Sequence, residues 1–164
     1  MAAENFALAS YCRRAHYLRV VTTRDVNNDL PAVIDFGRVP VNRYFGFSLL
    51  TVGRGRAEVA MALKRSFLQE EGIVHGGVLT TLADTAAVYT IFPFLDDAES
   101  MSSIEFKMNF LRPALIDDGS LTAKAKLVRR GRSVALTEVA VFQARRLVAK
   151  GMFTCLIYRD LEDA

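Results

Sequence analysis

A chain of 164 residues, 51% hydrophobic and 24% charged, suffices for one well-cored domain and falls short of two. Its net charge of +3 suits an anionic small molecule, but no basic stripe is present and Trp is absent, so nucleic acid is excluded as a partner. Two cysteines, Cys12 and Cys155, form neither a disulfide framework nor a zinc pattern; they read as thiols of a reducing cytoplasm, and no metal site follows.

Residues 4 to 22 place Leu8, Tyr11, Cys12, Ala15 and Leu18 at the spacing of an amphipathic helix, with Ser10, Arg13, Arg14 and Arg19 opposite. That basic face reads as solvated, not as membrane-binding. The charges follow the apolar residues, so the start lacks a signal-peptide layout. An arginine-rich, acid-poor start keeps an organellar transit peptide as the alternative to a cytoplasmic location. TTRDVNNDLP breaks the pattern and divides an N-terminal helical extension, 1–38, from a main domain, 39–160. PVNRYFGF reads as a short helix or turn, with Pro40 suited to a first helical position.

The periodicity then changes to two. RAEVAMALK sets Ala57, Val59, Met61 and Leu63 against Arg56 and Glu58, the mark of a half-buried strand. A long apolar helix follows from Gly76 to about Phe94, stopped by Pro93 and DDAES. No apolar run reaches the length of a membrane span, so no membrane partner is expected. SSIEFKMNFL alternates again, with Ile104, Phe106, Met108 and Phe110 on one face. SLTAKAKLV, SVALTEVAVF and LVAKGMFTCLIY complete the set, the last two joined by the turn QARR. The order is two strands, one helix and four strands linked by turns, which implies an antiparallel sheet. A helix apolar almost all round must be buried, and a curved sheet is the only element available to wrap it. The fold class is α+β. The outward strand faces are only half polar, which points to contact with another subunit.

Asp84 interrupts this helix. Between Val78 and Phe92 no Lys, Arg or Glu accompanies it. An ionised carboxylate taken out of water without partners costs several kcal/mol or forces its own protonation. Something must solvate Asp84 or use it.

HGGVLTTLADTAA followed by SSIEFKMNFLRPA, with PVNRYFGF and GRAEVAM before and RRGRSVAL after, resembles the hotdog-fold thioesterases, in particular their PaaI-like acyl-CoA branch. The likeness runs from about Val41 to Tyr158; the first 38 residues lie outside it. It implies a sheet rolled around one helix, a homodimer whose two sheets join, and often a homotetramer. It implies an acyl-CoA substrate, with coenzyme A arriving as part of that substrate and no separate cofactor.

Thioester hydrolysis needs an activated water or a carboxylate nucleophile, and donors for the oxyanion. Gly76 and Gly77 open the helix, where backbone N–H groups lack intrahelical partners and the helix dipole adds positive charge. The resemblance assigns the oxyanion contact to Gly76, with Gly77 beside it in the substrate site. A tight loop-to-helix turn would use the same glycines. Asp84 lies nine residues beyond His75, roughly 13 Å along a helix axis, so one chain cannot join them. Antiparallel helices in a two-fold dimer would bring Asp84 of one subunit to the other's Gly76. The resemblance makes Asp84 the base or nucleophile of that shared site; the bland alternative is an aspartate bracing an interface.

His75 is expected to orient the loop and not to take protons. Gln69 stands where related enzymes carry an amide that positions water, although an exposed loop amide beside Glu70 and Glu71 reads as readily. Ser103 stands where some relatives place a hydroxyl near the carboxylate, with Ser102 leaving the register open. Arg129, Arg130 and Arg132 are candidates for the coenzyme A phosphates, against a solvated hairpin tip; Arg112 reads as structural. Phe47, Tyr89, Phe92 and Phe110 could wall an acyl pocket or simply fill a core. The expected activity is hydrolysis of an aryl- or medium/long-chain acyl-CoA. The rivals are a non-catalytic acyl-CoA binder or sensor, a hotdog dehydratase or hydratase, and a structural subunit.

Overall fold

The computed structural model describes residues 36–53, 55–96 and 98–159; the helix expected over 4–22 and Cys12 lie outside them. Pro40–Phe45 forms helix α1, opened by its proline and closed by Gly46 at φ 69°, a left-handed conformation that glycine adopts without strain. The buried Asn42 amide donates to Phe36 O at 3.0 Å and ties down the preceding turn. The Phe36 ring, from the stretch assigned to the extension, lies on Tyr89 with centroids 4.9 Å apart.

Six strands follow in the chain: β1 (Phe47–Gly53), β2 (Arg56–Met61), β3 (Glu99–Phe110), β4 (Leu121–Arg130), β5 (Val134–Gln143) and β6 (Arg146–Arg159). Helix α2, Gly76–Ile91, separates β2 from β3. The strands form one antiparallel sheet in the order β1-β2-β4-β5-β6-β3, wrapped around α2. The inward side chains Val59, Met61, Leu121, Ala123, Val139, Val141 and Phe153 bury against Leu79, Leu82, Ala83, Ala86 and Ala87. Alanines on the helix let it lie close to the strands. Each large side chain taken fully out of water there contributes about 1.5–3 kcal/mol. At the deepest point the Thr90 hydroxyl bonds Ala87 O at 2.7 Å and shares a 3.0 Å bond with Thr137, so this buried polar pair is satisfied.

Two expectations need correction. Gly76–Phe94, 19 residues, is by length and composition alone long enough to cross a membrane; here it is the core helix of the sheet. The last four strands are not all joined by hairpins either. β4, β5 and β6 form a meander, but β3 sits beyond β6 at the sheet edge, and residues 111–120 carry the chain back to β4. Gly151 permits the β3–β6 pairing, because a Cβ there would stand 2.5 Å from Lys107 O.

The alternation read in SSIEFKMNFL breaks at Ile104. Ser103 pairs with Cys155 and Glu105 with Thr154, so Ile104 is the extra residue of a bulge. Ser103 thereby shares the inward side with Phe106, which stacks on Phe153 at 5.5 Å, although neighbour parity would have separated them. The outer edge of β3 pairs with no strand among the described residues, and Ile104, Phe106 and Phe110 along it are 56%, 53% and 55% exposed.

Candidate active site

The segment before α2 is pinned from both sides. Gln69 N–H donates to Ile73 O at 2.9 Å across a tight turn in which Glu71 and Gly72 take φ of 56° and 74°. Val74 N–H donates to Ala114 O at 2.9 Å, and Ile116 N–H to Gly72 O at 3.3 Å. The buried Gln143 amide in turn accepts from Leu115 N–H at 3.0 Å and donates to Gly119 O at 2.9 Å. His75 N–H donates to Phe67 O at 2.9 Å, which delivers the chain to the helix start in one orientation.

His75 caps α2. Its Nδ1 accepts from Gly77 N–H at 2.9 Å, so the proton of a neutral ring sits on Nε2. The imidazole is occupied in holding the first turn. Gly77 spends its N–H on that cap, while Gly76 N–H meets no acceptor among the described residues. Gly76 therefore offers a donor at the positive end of a 16-residue helix. The tip of the Phe110 ring lies against Gly76, its Cζ 3.1 Å from where a Cβ would stand.

Halfway along α2, Asp84 is half-buried and accepts from Ser103 Oγ at 2.8 Å. Burial pushes its carboxyl above the usual carboxylate range, and the Ser103 bond pulls partly back. The same hydroxyl lies 3.7 Å from Sγ of the buried Cys155, whose thiol is pushed up by burial. Ser103, and not Ser102, is the hydroxyl that meets the carboxylate.

Two groups result: Asp84 with Ser103, and His75, Gly76, Gly77 and Phe110 with exposed Gln69 on the loop leading in. Asp84 is eight residues beyond Gly76, about 12 Å along the axis, so one chain does not unite them. The RRGR turn belongs to neither group. Leu127 packs against the buried cluster that holds Ile91, Ala135, Cys155 and Ile157, which puts the β4–β5 hairpin toward the C-terminal end of α2. There Arg130 pairs with Glu99 at 2.6 Å and donates to Gly131 O, holding Glu99 below its ordinary value. Arg129 and Arg132 are exposed. Arg112 donates to Leu147 O at 3.0 Å and fastens the end of β3 to β6. Phe47 and Tyr89 are buried packing residues.

Sequence reading missed Cys155 and Gln143 as members of these networks. Cys155 shares the parity of buried Phe153 and Ile157, which marks it as inward; its meeting with Ser103 depends on the bulge. Gln143 was read only as part of a turn, because its partners lie 28 and 24 residues away.

The thioesterase superfamily profile matches residues 71–150, from the turn before His75 to the middle of β6. Among solved structures, a thioesterase family protein from Silicibacter pomeroyi superposes with a TM-score of 0.72 at 28% identity, over 76% of this chain and 93% of that one. A phenylacetic acid degradation-related protein from Ralstonia eutropha superposes with a TM-score of 0.68 at 32% identity, over 72% of this chain and 90% of that one. Among curated proteins, the acyl-coenzyme A thioesterase PaaI of Escherichia coli is 27% identical over 107 residues, 63% of this chain and 72% of its own length.

Proposed function

This chain belongs to the PaaI type of hotdog-fold thioesterases, and on that premise we propose that it hydrolyses aryl- or medium- to long-chain acyl-coenzyme A at a site shared by two copies. Thioester hydrolysis itself is the family's activity. One observation carries the finer reading. A half-buried, serine-bonded carboxylate and a donor N–H at the helix start occupy one helix, about 12 Å apart. Two antiparallel copies would set each carboxylate opposite the other's glycine. The unpaired apolar edge of β3 offers the means, since joining it to a second β3 satisfies its backbone and covers Phe106.

In this reading a water beside Asp84, steadied by the partner's Gln69, gives a proton to the carboxylate while its oxygen bonds the thioester carbon. The carbonyl oxygen takes the negative charge and accepts from the partner's Gly76 N–H. Collapse breaks the carbon–sulfur bond, the proton passes to the coenzyme A sulfur, and the free acid leaves. Alternatively Asp84 attacks the thioester carbon and expels the coenzyme A thiolate, and water then cleaves the mixed anhydride, returning Asp84 and the free acid. The raised carboxyl supports the base role, because a higher pKa makes a better proton acceptor near neutral pH. Arg129 and Arg132 remain exposed for the substrate phosphates. No cofactor beyond the substrate's own coenzyme A enters.

Steady-state turnover of an acyl-CoA panel, with released thiol trapped by a chromogenic reagent, tests this. The wild type should turn over at least one member, and Asp84→Asn should lose about 10²- to 10⁴-fold with the oligomer intact. Tight binding by the wild type with no turnover would instead make the chain a sensor. Undiminished turnover in the Asn variant would remove Asp84 from the chemistry.

A further inference from the structure

Phe110 is the last residue of β3, opposite the buried Ala149 of β6. Cζ, Cε1 and Cε2 of its ring stand 3.1, 3.3 and 3.4 Å from the point where a Cβ on Gly76 would sit. Three such nearly equal distances place that point above the plane of the ring, over its Cζ end, so the face of the ring's tip covers the first turn of α2. The residue as a whole is 55% exposed, so core packing does not account for it. A stiff aromatic plate is held beside the N–H at the helix start that meets no acceptor among the described residues. A second point concerns Gly76: any side chain there would meet the ring before it met a substrate.

An oxygen that accepts from Gly76 N–H lies about 2.9 Å from that nitrogen. The carbonyl carbon is about 1.2 Å beyond the oxygen, and the first carbon of the acyl chain one bond further. An acyl group seated on that donor is therefore held next to a residue that the ring already covers. We propose that Phe110 is a specificity-determining wall, admitting acyl groups unbranched at the carbon next to the thioester carbonyl and turning away those branched there. The proposal rests on the acyl-CoA reading above and narrows it. A rigid planar ring cannot reshape itself around a ligand as the longer, unbranched methionine chain would. The same wall keeps bulk water off one flank of the donor.

The test measures binding, so that it stands apart from turnover. The ligands are S-(2-oxoalkyl)-coenzyme A ketones, uncleavable because a methylene separates sulfur from carbonyl. One series is straight and the other carries a methyl on the carbon beyond the carbonyl. Calorimetric affinities are compared for wild type, Phe110→Ala and Phe110→Leu, each checked for fold and oligomeric state. The wild type should prefer the straight ketone by at least about tenfold, the usual worth of one misplaced methyl in a closed pocket. That ratio should fall toward one in Phe110→Ala and lie between in Phe110→Leu. An equal ratio in wild type and Phe110→Ala overturns the proposal, as does a wild type that binds neither ketone. Equal weakening of both ketones with loss of the oligomer would also overturn it, by assigning the ring to an interface. Discrimination among ketones without turnover of any thioester would leave the wall standing and sink the hydrolase reading alone.

Discussion

Asp84 is held at a cost, and that cost has a sign. Its folded carboxyl titrates above its ordinary value of 3.8 because burial penalises the charge. Between that value and the raised one, the native state keeps a proton that the unfolded chain has released. The contribution of this group to stability is full below 3.8 and is lost as pH rises through the raised folded value. Asp84→Asn, which cannot ionise, should therefore melt higher than wild type at neutral pH, with the gap closing as pH falls toward 4 in thermal scans. A variant less stable than wild type at neutral pH would mean that the anion is better compensated than its surroundings indicate. Ser103 acts in the opposite direction. Its hydroxyl lowers the Asp84 pKa, so Ser103→Ala should move the acidic limb of the kcat/KM profile to higher pH. An unmoved limb would separate Ser103 from the reacting carboxylate.

Among the elements, the start of α2 carries the most chemistry. The His75 cap at 2.9 Å is the kind of bond whose loss costs about 0.5–2 kcal/mol. His75→Ala should lose that much in urea denaturation, and His75→Asn should recover most of it, since an amide oxygen also accepts at this position. Equal stability of the Ala variant would remove the cap from the account. The helix and the alternating strands were legible because their side chains obey one period each: Val59 and Met61 in β2, Leu121 and Ala123 in β4, Ala149 and Phe153 across β6. The bulge at Ile104 was not, since an extra residue leaves no mark on composition and only shifts which neighbour faces inward. The Ser103–Asp84 bond follows from that shift, so the sequence alone left Ser102 and Ser103 tied. Arg130 was a phosphate candidate by its neighbours in the chain; its partner Glu99 lies 31 residues away, and only the folded hairpin brings them together. The return of the chain from β3 to β4 was illegible for a similar reason, because a loop of ten residues can as well close a wide hairpin as cross to another strand.

For the whole molecule, the proposed shared site requires a second copy. Twelve residues of β3 form a sheet edge roughly 40 Å long at the usual rise per residue. Natural edges are seldom left both long and apolar. Phe106→Glu should yield a monomer in sedimentation and lose turnover with it; a fully active monomer would place the complete site within one chain. The most direct measurement is complementation between two inactive variants. Asp84→Asn keeps a sound Gly76, and Gly76→Val keeps a sound Asp84. Refolded together, the two chains should form mixed dimers with one intact site each and restore about a quarter of wild-type turnover, as random two-fold pairing requires. Mixed dimers that form and remain as inactive as either parent would contradict a site shared between subunits.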